Sequence, residues 1–246
     1  MENRPKLRDG YKVTTHELYP LNEISDDIVI KICSHLVYLM AVGQKDISGN
    51  DFGDALADAI GGCHFASPVG IADVALDKMA WSVKTVKCTN PLSISNVRLI
   101  SGRNSPDYSY GIEDPHKDIQ KTGEAVLKIW NERINIAYSQ FNPVREMVLV
   151  RSNDLTQYAL YEEEIQQIRI SDYHWEINNN GNFIGIDNYS NEVKFTWQPH
   201  GSQFTIHSTI PTKVIKFHLK KPETLDKRSF LINLKYNDTW VHILKH

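Results

Sequence analysis

The sequence lacks the cysteine patterns of secreted or zinc-binding proteins. Its three cysteines, Cys33, Cys63 and Cys88, are odd in number and form no C-x-x-C pair. Neither a disulfide framework nor a zinc site is therefore predicted, and a reducing compartment is favoured. The charged first ten residues, MENRPKLRDG, lack the apolar segment that a signal peptide contains. No apolar run in the sequence reaches the length of a membrane span. We expect a cytoplasmic protein that does not enter the membrane.

Several common catalytic signatures are absent as well. The chain contains no Walker loop, no G-x-G-x-x-G, no G-x-S-x-G and no H-E-x-x-H. The common nucleotide-binding, serine-hydrolase and zinc-protease classes are therefore excluded. The formal net charge of −3 gives no global sign of nucleic-acid binding, although a DNA cleft can be locally basic on a neutral protein. A chain of 246 residues is long enough for one large domain, with or without an appendage.

Residues 70–88 contain the feature around which the sequence is organised. The runs GIADVAL and AWSVKTVK are rich in β-branched and aromatic residues, and polar Asp77-Lys78 separates them, which predicts a β-hairpin. Because side chains alternate along a strand, Ser82 and Lys84 share one face, and Asp73 is expected across from Lys84. A carboxylate and an ammonium held side by side can bind a divalent metal and position a water, as phosphodiester cleavage requires.

This hairpin resembles the PD-(D/E)xK nuclease superfamily, most of all the type II restriction endonucleases. The matching positions are Asp73 and Ser82-Val83-Lys84, and Ser82 stands where the family usually has Asp or Glu. The resemblance covers roughly residues 45–155. It implies an α/β (α+β) fold with a mixed sheet flanked by helices, a Mg²⁺ cofactor, double-stranded DNA as substrate and a homodimer.

The resemblance also implies roles for individual residues. Asp73 would bind the metal, Lys84 would orient or help to deprotonate the attacking water, and Ser82 would lie at the edge of the metal. Some restriction enzymes with Ser-x-Lys take the missing carboxylate from a neighbouring element, and here Asp54 and Glu113 are the candidates. Asp58 on the same helix ranks below Asp54. Glu113 has three competitors that the sequence does not separate from it, namely Asp107, Asp114 and Glu124.

The order of elements around the hairpin agrees with the motif. Apolar spacing predicts helices over residues 23–42, 50–60 and 115–138, and it predicts strands at Val148–Val150 and over residues 156–165. Asp54 lies on the second helix, where the superfamily often has an acid that faces the metal. The alternative is that Asp54 is a solvated charge on the surface of the helix. The basic residues of the long helix are expected to be solvated, and the alternative is that those on one flank line a surface for the nucleic-acid backbone. They are Lys117, Lys121, Lys128 and Arg133.

The polar stretch after the hairpin is a candidate for DNA contact. Arg98 and Arg103 lie in it, and arginine pairs with base edges and phosphates. Asn104 and Lys87 are further candidate contacts. Apolar residues between 94 and 100 indicate that part of this stretch packs as a third strand. The alternative is a surface loop whose arginines form ordinary salt bridges.

The composition changes near residue 171, so two regions are expected. Residues 1–170 would form a nuclease-like core whose first 22 residues are an arm or loop, and residues 171–246 a β-rich extension for DNA binding or dimerisation. Short strands and hairpins are predicted throughout this extension, including two strands around an Asn-Asp turn near its end. From Lys213 onward, eight lysines and arginines stand against three acids, a surplus that attracts phosphate.

Three functions are compatible with these features. The leading hypothesis is a sequence-specific, Mg²⁺-dependent endonuclease that hydrolyses phosphodiester bonds in double-stranded DNA. The alternative is a non-catalytic nucleic-acid-binding protein on a degenerate nuclease-like fold, and the missing acid at Ser82 is its main support. A third hypothesis, an unrelated α+β enzyme that acts on small molecules, rests on the aromatic residues of the C-terminal region.

Overall fold

A computed structural model describes residues 17–244, which form an α+β fold with two β-sheets. Residues 1–16 of the expected N-terminal arm lie outside the described residues. The helices of the described part are α1 (Asp26–Ala41), α2 (Gly49–Ile60), α3 (Pro106–Tyr110), α4 (Ile119–Gln140) and α5 (Lys227–Asn233). The strands are β1 (Cys63–Val69), β2 (Ala72–Leu76), β3 (Met79–Lys87), β4 (Asn96–Arg103), β5 (Val144–Arg151), β6 (Gln157–Glu164), β7 (Tyr173–Ile177), β8 (Phe183–Asp187), β9 (Val193–Gln198), β10 (Gln203–Thr209) and β11 (Ile215–His218).

The chain exchanges strands between the two sheets. One sheet has six strands in the order β1-β2-β3-β5-β6-β11, and the other has five in the order β4-β10-β9-β8-β7. Strands β3 and β5 are parallel, and the other pairs are antiparallel. β4 comes early in the chain but joins the five-stranded sheet, whereas β11 comes late and joins the six-stranded sheet. The regions expected at residues 1–170 and 171–246 therefore each contribute strands to both sheets.

The predicted hairpin is present as β2 and β3. Asp77 occupies the turn with a φ of 52°, a left-handed conformation that aspartate tolerates better than most residues. Trp81 of β3 is fully buried opposite Val74 of β2. The predicted third strand is also present as β4, but it pairs with β10 rather than with the hairpin.

The three predicted helices are confirmed, and polar side chains fix where they begin. Ser25 accepts a hydrogen bond from the backbone of α1, and Ser48 with Asp51 forms a capping box at α2. Gly61 ends α2 in a left-handed conformation. The long helix α4 begins at Ile119 rather than near residue 115, because the Asp118 side chain accepts from the Lys121 backbone NH.

The helices divide the hydrophobic core into layers. Helices α1 and α2 pack on one face of the six-stranded sheet, where they bury residues such as Leu36 and Phe52. Helix α4 packs against the aromatic face of the five-stranded sheet and also contacts Ile71 and Ala72, next to the hairpin. The contact is close: a Cβ on Gly123 would lie 2.2 Å from the Trp175 ring. Helix α4 thereby joins the two sheets.

A buried ionic network ties residues 17–22 to the six-stranded sheet. The Glu162 carboxylate, fully buried, accepts hydrogen bonds from the Tyr19 hydroxyl at 2.9 Å, from Trp81 Nε1 at 2.7 Å and from Arg145 Nη1 at 3.0 Å. Arg145 also donates to the Tyr19 carbonyl at 3.0 Å. Since every charge in the network has a partner, burial of Glu162 is tolerated.

The prediction of two strands near the C-terminus is wrong. Residues 227–233 form helix α5, and Asp238–Trp240 is a single 3-10 turn. Asp226 accounts for the difference, because its side chain accepts from the Ser229 backbone NH and starts a helix. Among the described residues, no helix combines the length and the apolar character that crossing a membrane requires.

Candidate active site

Four adjacent strands of the six-stranded sheet carry polar side chains in one row. Ser82 of β3 lies opposite Glu146 of β5, and Glu146 lies opposite Glu163 of β6. The pairing of Val74 with Trp81 places Asp73 next to Ser82. Directly opposed residues point to the same face of a sheet. The row Asp73, Ser82, Glu146 and Glu163 therefore faces one side of the sheet.

The three predicted catalytic residues, Asp73, Ser82 and Lys84, are in direct contact. Asp73 Oδ2 accepts from the Val83 backbone NH at 2.9 Å and from Ser82 Oγ at 3.3 Å. Lys84 Nζ donates to Ser82 Oγ at 2.6 Å and to the Val83 carbonyl at 3.3 Å. The same ammonium lies 3.9 Å from Asp73 Oδ2 and 3.8 Å from Glu146 Oε1. Lys84 therefore lies between two carboxylates.

Glu146 is the residue that the sequence analysis missed. Only 6% of it is exposed, and its Oε1 has no hydrogen-bond partner among the described residues. Burial raises the pKa of the Glu146 carboxyl to about 7; the Lys84 ammonium opposes this shift, and the nearby Glu163 reinforces it. The one signal in the sequence is a glutamate that directly precedes the apolar run Met147–Val150.

A cleft of about 380 Å³ lies next to these residues. The hairpin forms one wall, β4 forms another, and α4 contributes side chains between them. The residues that line it include Asn50, His64, Asp73, Ser82, Lys84, Ile100, Ser101, Gly102, Trp130 and Arg133. The cleft therefore takes walls from both sheets. Asp73, Ser82 and Lys84 line its hairpin side, whereas Glu146 lines a neighbouring cavity that shares Trp130 with the cleft.

Arg133 of α4 points into this cleft, whereas the sequence analysis expected it to be solvated. Its Nη1 donates to the Ser101 carbonyl at 2.8 Å and to Asn104 Oδ1 at 3.3 Å. Gly102 permits this approach, since a Cβ there would lie 2.3 Å from Arg133 Nη1. Burial lowers the pKa of Arg133, and the charge of Asp73 opposes that shift. The cleft thus contains two cations, Lys84 and Arg133, near Asp73.

Neither of the two acids expected to complete the metal site is an ion-pair partner of Lys84. Asp54 Oδ1 is 2.7 Å from Nδ1 of His64, and it is largely exposed. Glu113 lines a separate cavity of about 510 Å³ together with Asp114 and Lys117. The structure therefore pairs Asp54 with a histidine of the cleft wall and does not bring Glu113 to Asp73.

The predicted DNA contacts differ in their accessibility. Arg98 and Arg103 are exposed on β4, and Lys87 is exposed at the end of β3. Asn104 is fully buried: its Nδ2 donates to the Val126 carbonyl at 3.0 Å, and its Oδ1 accepts from the arginine described above. In this structure the Asn104 side chain is not available to a base edge.

The donor set around Lys84 suits a hard cation. Two carboxylates, Asp73 and Glu146, and the Val83 carbonyl surround the ammonium, and Mg²⁺ is typically held by one or two carboxylates plus waters and substrate phosphates. Glu146 Oε1 is buried without a hydrogen-bond partner in the described chain, which leaves a free acceptor. Within residues 17–244, no three or more His, Cys, Asp or Glu side chains form a ready metal cluster. The residues present fit Mg²⁺ with phosphate as a further ligand.

Comparison with protein families and with individual proteins adds nothing to this geometry. No family model matches the chain, and neither a curated protein nor a solved structure matches it.

Proposed function

We propose that this protein is a Mg²⁺-dependent, sequence-specific endonuclease that hydrolyses phosphodiester bonds in double-stranded DNA, as type II restriction enzymes do. The observation that carries the proposal is the position of Glu146, opposite Ser82 and 3.8 Å from Lys84. It supplies a carboxylate next to Ser82, which stands in this chain where the PD-(D/E)xK pattern has an acid. With Asp73 and Lys84 it makes two carboxylates and an ammonium, the minimum that this chemistry uses.

Each residue of the cluster has a distinct part in the proposed reaction. Asp73 and Glu146 would hold Mg²⁺, which, when bound, neutralises charge that builds up on the phosphate oxygens. Lys84 orients the attacking water and stabilises the developing negative charge. Ser82 donates to Asp73 and accepts from Lys84, so it fixes both groups in place. Arg133, held by the Ser101 carbonyl, would bind the phosphate from the α4 side of the cleft.

The proposed substrate contacts extend outward from the cleft. Arg98, Arg103 and Lys87 are exposed and would contact DNA phosphates or base edges. A homodimer is proposed because a two-fold protein matches a palindromic site and cuts both strands. Arg98 and Arg103 lie on β4, which belongs to the five-stranded sheet and forms one wall of the cleft.

Cleavage of unmodified DNA tests the proposal directly. Purified protein is incubated with plasmid and phage DNA in Mg²⁺ or in EDTA, and the products are separated on a gel. We expect discrete fragments in Mg²⁺ alone, and we expect Glu146→Gln and Asp73→Asn to abolish them. The matched control is Glu164→Gln on the adjacent strand, which is exposed and should cut normally. Normal cutting by Glu146→Gln would refute the site.

A non-catalytic DNA-binding protein is the second candidate. The observation in its favour is that Lys84 lies near both Asp73 and Glu146, as it would in an ion pair that only stabilises the fold. Intact DNA on several unmodified substrates, together with a gel shift that does not depend on Mg²⁺, would favour this function. A gel shift that Arg103→Ala weakens would then locate the binding surface.

A further inference from the structure

The last part of the described chain exposes many large apolar side chains. We call residues 227–244 the C-terminal arm; it contains α5 and the turn Asp238–Trp240. None of these residues is buried. The exposed apolar side chains of the arm are Phe230, Ile232, Leu234, Tyr236, Trp240, Val241, Ile243 and Leu244. A concentration of this kind is typical of an interaction surface.

The arm has order of its own but little contact with the rest of the chain. Asp226 caps α5, the Trp240 backbone NH donates to the Asn237 carbonyl, and the rings of Tyr236 and Trp240 pack edge to face at 5.6 Å. The arm is attached at its start, where the Leu225 backbone NH donates to the Ala41 carbonyl at 2.7 Å. The arm therefore begins at the C-terminal end of α1.

Helix α1 has an exposed apolar stripe of its own. Ile30 is 66% exposed and Tyr38 is 59% exposed, and Ser34 lies between them at helical spacing. Val42, just after the helix, is exposed as well. The opposite face of α1 is buried in the core. Within one copy, the arm leaves this stripe uncovered.

The two surfaces have opposite charge. Helix α1 carries two aspartates (Asp26 and Asp27) against the single basic residue Lys31. The arm carries three basic residues against one acid: Lys227, Arg228 and Lys235 against Asp238. Complementary charge favours the association of such surfaces and suppresses the pairing of like surfaces.

We propose that the arm of one copy binds the α1 stripe of a second copy, so that two chains form a two-fold dimer. Each copy then supplies one arm and one stripe, the reciprocal arrangement that a closed two-fold interface requires. A standard interface has about 20–30 residues from each partner, and the arm together with the outer face of α1 approaches that size. The inference goes beyond DNA cleavage, since it specifies an assembly surface away from the cleft.

The oligomeric state of the full chain tests the proposal without DNA or Mg²⁺. Light scattering after size exclusion should give a dimer for the parent chain. Trp240→Asp in the arm and Tyr38→Asp on α1 should each raise the dimer Kd by about tenfold or more. Tyr189→Asp is the matched control, because Tyr189 is 84% exposed in the turn between β8 and β9. A monomeric parent chain, or a dimer that neither α1 nor arm variant weakens, would overturn the proposal.

Cross-linking distinguishes binding of the arm to α1 of the second copy from binding of the arm to α1 of its own chain. Tyr38→Cys chains are mixed with Trp240→Cys chains and oxidised, with the parent chain as control for its free cysteines. We expect a mixed disulfide dimer above the background of that control. A cross-link that forms only within single chains of the double variant Tyr38→Cys/Trp240→Cys would overturn exchange. Both readouts are independent of cleavage, so failure of this proposal and failure of the nuclease proposal are distinguishable.

Discussion

Ser82 and Glu146 lie opposite each other on the parallel strands β3 and β5, although the whole of α4 separates them in the sequence. The parallel pairing brings a buried carboxylate next to a position where the hairpin itself has only a hydroxyl. The two residues together present a hydroxyl oxygen that accepts from Lys84 and a carboxylate 3.8 Å from it. This relationship is the basis of the predictions for the cleft.

Lys84→Ala should slow cleavage by about 10²–10³-fold and leave DNA binding nearly intact. Lys84 is the ammonium next to both carboxylates, and loss of one preorganised charge-stabilising group typically costs about 10²–10³-fold in rate. Single-turnover cleavage and a gel shift in Ca²⁺ measure the two effects separately. Lys87→Ala, three positions along the same strand but exposed, is the control and should cut at a near-normal rate once bound. Normal cleavage by Lys84→Ala would show that the site is misassigned.

Glu146→Gln should remove a pH dependence of stability. The raised pKa means that the folded state binds a proton that the unfolded state has released, so this site lowers stability as pH rises from about 4.5 to about 7. Across that window the variant should gain up to about 3 kcal/mol relative to the parent chain. Urea unfolding in EDTA at several pH values measures the difference. A constant difference between pH 5 and pH 8 would contradict the burial argument.

Glu162→Gln should destabilise the fold by about 3 kcal/mol, because it leaves the buried Arg145 guanidinium without the charge of its buried partner. Tyr19 and Trp81 also donate to this carboxylate, so residues near the N-terminus should lose protection in hydrogen exchange. Chemical denaturation gives the magnitude. The exposed Glu176→Gln on β7 should change stability by less than about 0.5 kcal/mol. Equal effects of the two variants would disprove the role of the network.

Gly123→Ala and Gly49→Ala should have opposite effects. A Cβ at Gly123 would overlap the Trp175 ring, and overpacking of this kind costs about 1–3 kcal/mol. A Cβ at Gly49, in the first turn of α2, would have open space within 4 Å, so alanine should be neutral or mildly stabilising there. Thermal unfolding of the two variants provides the comparison. A Tm for Gly123→Ala at or above that of the parent chain would contradict the close packing of α4 on β7.

Arg103→Ala and Asn104→Ala should separate DNA contact from folding. Arg103 is exposed, so its loss should weaken DNA binding and reduce the salt dependence by about one charge, with the Tm unchanged. Asn104 is buried and bonded through both ends of its side chain, so its loss should lower stability by about 1–3 kcal/mol. Binding titrations at several salt concentrations and thermal unfolding distinguish the two. The reverse pattern would mean that the assignment of these neighbours is wrong.

Local signals in the sequence were sufficient for the hairpin and the helices. Alternation around Asp77, helical spacing in α1 and α4, and Gly61 as a stop all depend on residues a few positions apart. These signals can therefore be recognised without knowledge of the fold. Residues 227–233 were predicted as strand beside an Asn-Asp turn, whereas the Asp226 cap starts a helix there.

The missing parts of the site depend on pairing between distant segments. Glu146 reaches Lys84 only through the parallel register of β3 with β5, and Arg133 enters the cleft only because α4 is held against β4. Asn104 follows β4 and became buried for the same reason. Register between strands so far apart is set by packing of the whole sheet, and no short pattern encodes it.

The exchange of β4 also has a consequence for the timing of site assembly during synthesis. β4 is an edge strand that takes its hydrogen-bonded neighbour from β10, which the ribosome produces about a hundred residues later. Until then Ser101 and Gly102 have no sheet to hold them, and the wall that they form across from Asp73 is incomplete. A nascent chain would therefore carry the hairpin and Glu146 long before it had a closed cleft. Under the proposed function, the ability to cut DNA would appear only after β10 has been made.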